Sequence, residues 1–151
     1  PDKSDGKPTP AAAPDTVKSL PLSDTAPAKA STGYGGVHYD RNDAGLPLLG
    51  PNGPAAHGLW AHANSSFTYD LGGKWSTFTG NCALLQSGSG PVLATIALDG
   101  RTVWESKVIK PGVSKPFTLD LKGATTLTLT IEGQRGIGSA HSAWLEPLLQ
   151  R

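Results

Sequence analysis

Between Gly58 and Gly73 the chain reads GLWAHANSSFTYDLGG, and its first half sets Trp60, His62 and Asn64 two residues apart. Side chains at that spacing share one side of an extended strand. If the strand runs back this far, an indole, an imidazole and an amide line one face. That trio could form a polar binding strip with an aromatic ring beside hydrogen-bonding groups. Three further residues could contribute. Trp104 follows the Asp99-Gly100 turn with Thr102 and Ser106 on its face, and the closing segment carries His141 and Trp144, the latter alongside Ser142 and Glu146. Each also has a structural reading. Large aromatics at strand spacing usually pack inside, and a buried histidine is often bonded to a carbonyl. Trp75, close to Phe78, reads as core on those grounds.

Other chemistries find less in the sequence. Glu105, Glu132 and Glu146 are its only glutamates, and each falls in or at the end of an alternating run, where an outward, solvated charge is the ordinary explanation. The loop Gly133 to Gly138 lacks the parallel strand and following helix of a phosphate-binding loop, and Gly88-Ser89-Gly90 lacks the spacing of a nucleophile elbow. Cys82 is alone, reads as a small buried hydrophobe, and has no histidine at zinc-ligand spacing. No cofactor is expected. Calcium held by Asp40 or Asp43 with backbone oxygens is the metal reading the polar turn 40–45 permits, and two aspartates fall short of the roughly six oxygens that ion takes.

The elements that must position these residues are short strands. Phe67, Tyr69 and Leu71 alternate with Ser66, Thr68 and Asp70, and Gly72-Gly73 ends the run. The same alternation marks Val92 to Leu98, Phe117 to Leu121 and Leu127 to Ile131, with weaker signals around Val17 to Leu22, Val37 to Tyr39, Leu46 to Leu49, Trp75 to Leu85, Arg101 to Val108 and His141 to Leu149. Asp99-Gly100 is a two-residue hairpin signal. With 19 glycines, 13 prolines and almost no helical periodicity, the chain predicts an all-β fold, an antiparallel sandwich of jelly-roll type. Its 151 residues suit one domain, 16–151, behind a Pro/Ala-rich linker, 1–15, that has no large apolar side chain and reads as a tether to an upstream domain. The formal net charge of +1, with no basic block, argues against nucleic acid as a partner, and no apolar run is long enough to insert in a membrane. The start at Pro1 rather than methionine is read as that of a cut piece or mature fragment.

Taken in order, Tyr34-Gly35-Gly36-Val37-His38-Tyr39-Asp40-Arg41, Gly58 to Ser65, Tyr69-Asp70-Leu71, Asp99-Gly100 and His141-Ser142-Ala143-Trp144 resemble the NPCBM family, which is related to the family 51 carbohydrate-binding modules. The resemblance runs from about Thr16 to the C-terminus. It implies a galactose-binding-like β-sandwich appended to secreted or surface bacterial proteins, often glycoside hydrolases, with galactose-containing glycans among the ligands. There are departures. Trp60 stands where the family pattern usually has glycine, Ala140 and Ala143 replace aspartates of the closing motif, and Leu84 to Gly88 replaces an acidic loop.

The sequence therefore predicts a noncatalytic carbohydrate-binding module of a larger extracytoplasmic bacterial protein, binding a glycan through Trp60, His62, Asn64, Trp104, His141 and Trp144. The competing reading is a structural or protein-interaction sandwich without a glycan.

Overall fold

The computed structural model describes residues 7–136 and 138–151. Thirteen strands are found among them: β1 (Ser19–Pro21), β2 (Lys29–Ser31), β3 (His38–Tyr39), β4 (Leu49–Gly50), β5 (Gly53–Pro54), β6 (Gly58–Trp60), β7 (Ser65–Asp70), β8 (Thr77–Leu84), β9 (Val92–Leu98), β10 (Arg101–Ile109), β11 (Ser114–Asp120), β12 (Thr126–Gly133) and β13 (Ser142–Gln150). One sheet runs β11-β8-β13-β6-β3, the other β10-β9-β12-β7-β2, and β4 with β5 makes a small hairpin. All strand pairings are antiparallel. The two sheets form the sandwich that the alternating runs predict.

Period-two patterning builds the interior. Phe67 and Tyr69 of β7, Val92, Ala94 and Ile96 of β9, and Leu127, Leu129 and Ile131 of β12 are buried, and they meet Leu59, Phe78, Cys82, Leu84, Trp144 and Leu149 of the facing sheet. At Asp99 the chain turns with φ of 51°, followed by Gly100 at 82°. The Asp99 carboxylate accepts from the Thr125 hydroxyl and from the Thr126 and Thr125 N–H groups, and these bonds hold its pKa below the usual carboxylate range.

The strand containing the opening motif is shorter than the alternation suggests. β6 stops at Trp60 and β7 starts at Ser65, so 61–64 cross from one sheet to the other, with a cis Ala63–Asn64 peptide bond. The row of Trp60, His62 and Asn64 is broken by that crossing. β6 is also buried on both faces. Leu59 points into the main core, while Trp60 joins Leu48, Ala83, Leu85, Ala143 and Leu145 in a second apolar cluster.

The stretch read as a linker is partly laid against the domain. Pro10–Ala12 form a 3-10 turn, the Trp75 indole donates to the Pro10 carbonyl at 3.3 Å, and the Arg151 guanidinium stacks 4.3 Å from the Trp75 ring while pairing with Asp15. The segment has no large side chain of its own, and its partners are supplied by the domain. Residues 1–6 of the proposed linker, and Ile137 of the glycine-rich loop, lie outside the described residues. No helix among the described residues is long and apolar enough to cross a membrane.

Candidate functional site

Four segments bring rings together beside the outer cluster. Tyr34 comes from the loop after β2, His38 from β3, Trp60 and His62 from the end of β6 and its crossing, and His141 from the residue before β13. Ring centroids lie 4.9 Å apart for His62–His141, 5.5 Å for Tyr34–His62, 5.6 Å for both His38–Trp60 and Trp60–His62, and 6.5 Å for Tyr34–Trp60. Trp60 is wholly buried and His62 nearly so, while Tyr34 keeps 58% of its surface exposed. The tryptophan expected as a sugar platform is thus the floor, and the tyrosine above it presents the open ring.

Glycines let the Tyr34 loop come this close. A Cβ on Gly33 would sit 2.0 Å from the Ala63 carbonyl oxygen, and one on Gly35, where φ is 77°, would sit 2.7 Å from the Trp60 ring and 2.9 Å from the Asp43 Cβ. Only residues without a Cβ fit there. The loop is fastened by Gly33 N–H donating to the His62 carbonyl at 3.1 Å and by the Thr32 hydroxyl donating to the Gly36 carbonyl at 2.7 Å.

The hydrogen bonds also define tautomers. A carbonyl can only accept, so the His62 Nδ1 that lies 2.7 Å from the Ala63 oxygen carries the proton, and Nε2 is left with a lone pair. By the same reasoning His38 donates through Nε2 to the Gly35 carbonyl at 2.6 Å. Burial lowers the His62 pKa; the bond to Ala63 opposes the shift, nearby His141 adds to it and Asp43 opposes it. A neutral imidazole with one open acceptor is what a sugar hydroxyl can donate to.

The remaining expected residues are elsewhere. Trp144 is wholly buried in the main core, 5.8 Å from Phe117 and 6.3 Å from Trp104, because its position on β13 faces the opposite sheet. It lines no accessible surface. Trp104 is half-buried against the same core, 5.3 Å from Phe117, and bulges on either side of it interrupt the face it was to share with Thr102 and Ser106. The Asn64 side-chain oxygen is occupied by the Gly133 N–H at 2.9 Å, across on the other sheet. Of the six, His62, His141 and Trp60 are brought together. Tyr34 and His38 were not among them, although an aromatic between Gly33 and Gly35-Gly36, with no apolar neighbour to pack on locally, is a signal for an exposed ring in a loop.

Metal-ligating side chains gather at a separate place. Asp24, Asp40 and His57 bring their ligand atoms within 4.8 Å of one another. His57 Nδ1 lies 3.7 Å from Asp40 Oδ1 and 4.0 Å from Asp24 Oδ1, spacings that also suit ion pairing when the imidazole is protonated. Asp43 stands with the ring cluster instead, so the two aspartates of the polar turn do not share a site.

An antiparallel two-sheet sandwich with a loop-built ring cluster at its surface is the architecture of a galactose-binding-like carbohydrate-binding module. The chain belongs to the NPCBM/NEW2 domain family, whose model matches residues 18–150. Among solved structures it is similar to the CBM51 of Clostridium perfringens GH95 in complex with methyl-galactose, with 27% identity, a TM-score of 0.80, and coverage of 87% of this chain and 99% of that one. It is also similar to the structure of the M60 catalytic domain with CBM51-1 and CBM51-2 from Clostridium perfringens ZmpB, with 24% identity, a TM-score of 0.81, and coverage of 87% of this chain but 15% of that one. The tandem CBM51 modules of Sp3GH98 from Streptococcus pneumoniae match with 17% identity, a TM-score of 0.79, and coverage of 88% and 47%. Curated proteins contain no match to the chain.

Proposed function

We propose that this domain is a noncatalytic glycan-binding module that holds a saccharide against Tyr34, with His62 and His141 supplying hydrogen bonds from beneath. The observation that carries the reading is the exposed Tyr34 ring seated over buried Trp60 and His62. A sugar's C–H face stacks on such a ring, and its hydroxyls meet imidazole nitrogens, that of His62 held in orientation by its bond to Ala63. A galactose-containing glycan is favoured by the family and by the methyl-galactose complex of the Clostridium perfringens GH95 module. Axial O4 leaves one face of galactose as a continuous C–H patch suited to a single aromatic ring.

Trp60, His62 and His141 are retained as site residues, with Trp60 as support. Among the described residues the carboxylate found beside the cluster is Asp43, whereas glycoside hydrolysis uses a facing pair, so binding without turnover is the better reading. The domain would be one part of a larger bacterial protein, secreted or at the cell surface, as with the multidomain neighbours. One small polar site offers modest affinity, of the order of micromolar to millimolar for a single sugar.

A glycan array probed with the tagged domain, with and without calcium, tests this beside Tyr34→Ala checked for folding. Binding to galactosides that the folded variant loses is expected. Silence from folded wild type across galactose-containing, mucin-type and algal glycans would reject the reading in favour of a structural or protein-interaction domain.

A further inference from the structure

Where β9 begins and β10 and β12 end lies a groove of about 360 Å³ lined by Pro91, Val108, Lys110, Pro111, Gln134 and Arg135. Sheet register builds it. Val92 of β9 pairs with Ile109 of β10 on one side and with Gly133 of β12 on the other. The residues one step beyond, Lys110, Pro91 and Gln134, therefore stand abreast at the ends of three adjacent strands. Ile109 is buried, so Val108 and Lys110 alternate to the outer face, where Val108 keeps 41% of its surface exposed. Both rims are fastened by backbone, the Gln134 N–H donating to the Pro91 carbonyl at 3.0 Å and the Val113 N–H to the Lys110 carbonyl at 3.2 Å.

Its charge is one-sided. Lys110 and Arg135 bring two cations and Gln134 an amide, and no carboxylate is in the lining. Neither cation has an ion pair or a side-chain hydrogen bond among the described residues, and Glu132, two residues before Gln134, pairs with neither. With β9 between them, β10 and β12 run about 10 Å apart, a gap that two long, flexible side chains can close onto one oxyanion. Beneath them Pro91, Val108 and Pro111 make an apolar floor. A free inorganic anion would leave that floor bare, and a hydrocarbon would leave both cations unpaired. A sugar ring carrying a sulfate or carboxylate meets both, its C–H face on the floor and its oxyanion between Lys110 and Arg135.

Backbone bonds join this groove to the ring cluster along two routes. Gly133, next to Gln134, donates its N–H to the Asn64 side chain, and Asn64 follows Ala63, whose carbonyl fixes the His62 ring. Gly90, next to Pro91, donates to the Ser139 carbonyl at 3.0 Å, two residues before His141. We propose that the groove is a subsite for the oxyanion of an acidic sugar unit, a sulfate or a carboxylate, in the glycan whose neutral unit is held at Tyr34. The link to Tyr34 rests on the ring cluster being a glycan site; the oxyanion subsite does not. Nucleic acid fits less well, since no aromatic ring lines the groove for a base to stack on and the chain has a formal net charge of only +1.

The test is a ¹⁵N NMR titration of the whole chain with a sulfated carrageenan tetrasaccharide, a galacturonic acid tetramer and neutral galactotetraose, with inorganic sulfate as control. Saturable shifts of the Lys110, Gln134 and Arg135 amides by one or both acidic oligosaccharides, at least about tenfold tighter than by the neutral one, are expected. They should weaken between about 0.05 M and 0.5 M salt, as exposed ion pairing does. Which of the two acidic sugars responds assigns the oxyanion. Lys110→Gln/Arg135→Gln, altered only at exposed positions, should bring the acidic sugars down to the neutral affinity and keep the dispersed spectrum of a folded domain. Equal affinity for the neutral sugar, a gain that survives the double variant, inorganic sulfate matching the oligosaccharides, or no groove shift at all would overturn the subsite. The amides of Tyr34, His62 and His141 report separately on the ring cluster. Silence there, with the groove still responding to the acidic sugars, sinks the Tyr34 reading and leaves the oxyanion subsite standing.

Discussion

Two aromatic clusters in this domain are built from similar side chains and differ in what covers them. Trp104, Phe117 and Trp144 meet at centroid distances of 5.3 to 6.3 Å where the two sheets face each other, and Trp144 has no exposed surface. Tyr34, His38, Trp60, His62 and His141 meet at 4.9 to 6.5 Å around the end of β6, where loops rather than a second sheet close over them. Sheet-on-sheet packing leaves Trp144 no opening. Loop-on-strand packing leaves Tyr34 exposed and His38 and His141 partly so, and exchanges apolar neighbours for imidazoles that can hydrogen-bond. On the proposed reading the inner cluster contributes stability and the outer one glycan binding, although both contain a wholly buried tryptophan.

The sharpest way to separate them is truncation. Trp144→Ala should cost about 3–5 kcal/mol of stability, the range for losing a large aromatic from a core, read as a fall in the midpoint of denaturant unfolding. Tyr34→Ala should move that midpoint by no more than about 0.5 kcal/mol, as for an exposed side chain, while lowering glycan affinity at least about tenfold. If both variants unfold alike, the division between the clusters fails.

A smaller effect comes from the loop that brings Tyr34 in. Gly35→Ala combines a positive φ with a Cβ 2.7 Å from the Trp60 ring, so the loop must shift. A loss of about 1–2 kcal/mol in stability, with weaker sugar binding, is expected. Unchanged binding by this variant would show that Tyr34 need not sit against Trp60.

The next prediction concerns pH and has a definite sign. Because the folded-state pKa of His62 lies below its ordinary value of 6.5, the unfolded chain takes up the proton first as pH falls. The stability contributed by the neutral imidazole is present above pH 6.5 and declines below it until the folded pKa is passed. Glycan affinity should weaken as that lower pKa is crossed, when Nε2 ceases to accept. His62→Gln should flatten this component of the pH profile in isothermal titration, and a profile unchanged by that variant would argue against His62 as an acceptor.

Least conspicuous is Cys82, wholly buried in the inner core, where desolvation raises its thiol pKa far above the usual range. It should stay unreactive toward a thiol reagent in native buffer and titrate as one thiol in denaturant. Native reactivity would mean the inner cluster opens as readily as the outer one.

Strand positions were legible in the sequence because a sheet buries every second side chain, and Phe67, Tyr69, Leu127, Leu129 and Ile131 carry that rhythm without help from distant contacts. His62 and His141 were legible as candidates from their residue type and motif. Trp60 was misplaced in depth, since its burial depends on Leu48, Leu85 and the Tyr34 loop, none of them next to it in the chain. Trp144 had an alternation compatible with either face, and its pairing with Cys82 and Leu59 in neighbouring strands determined which.

The sequence by itself therefore determined the all-β sandwich, its principal strands and the presence of a ring-forming chemistry, because alternation and glycine-bounded turns are local properties of the chain. Tertiary structure alone decided which rings meet, which of them is most exposed, and that the His62 ring lies 5.5 Å from that of Tyr34. Those outcomes depend on how separate loops cover one end of β6, and coverage is a relation between distant segments.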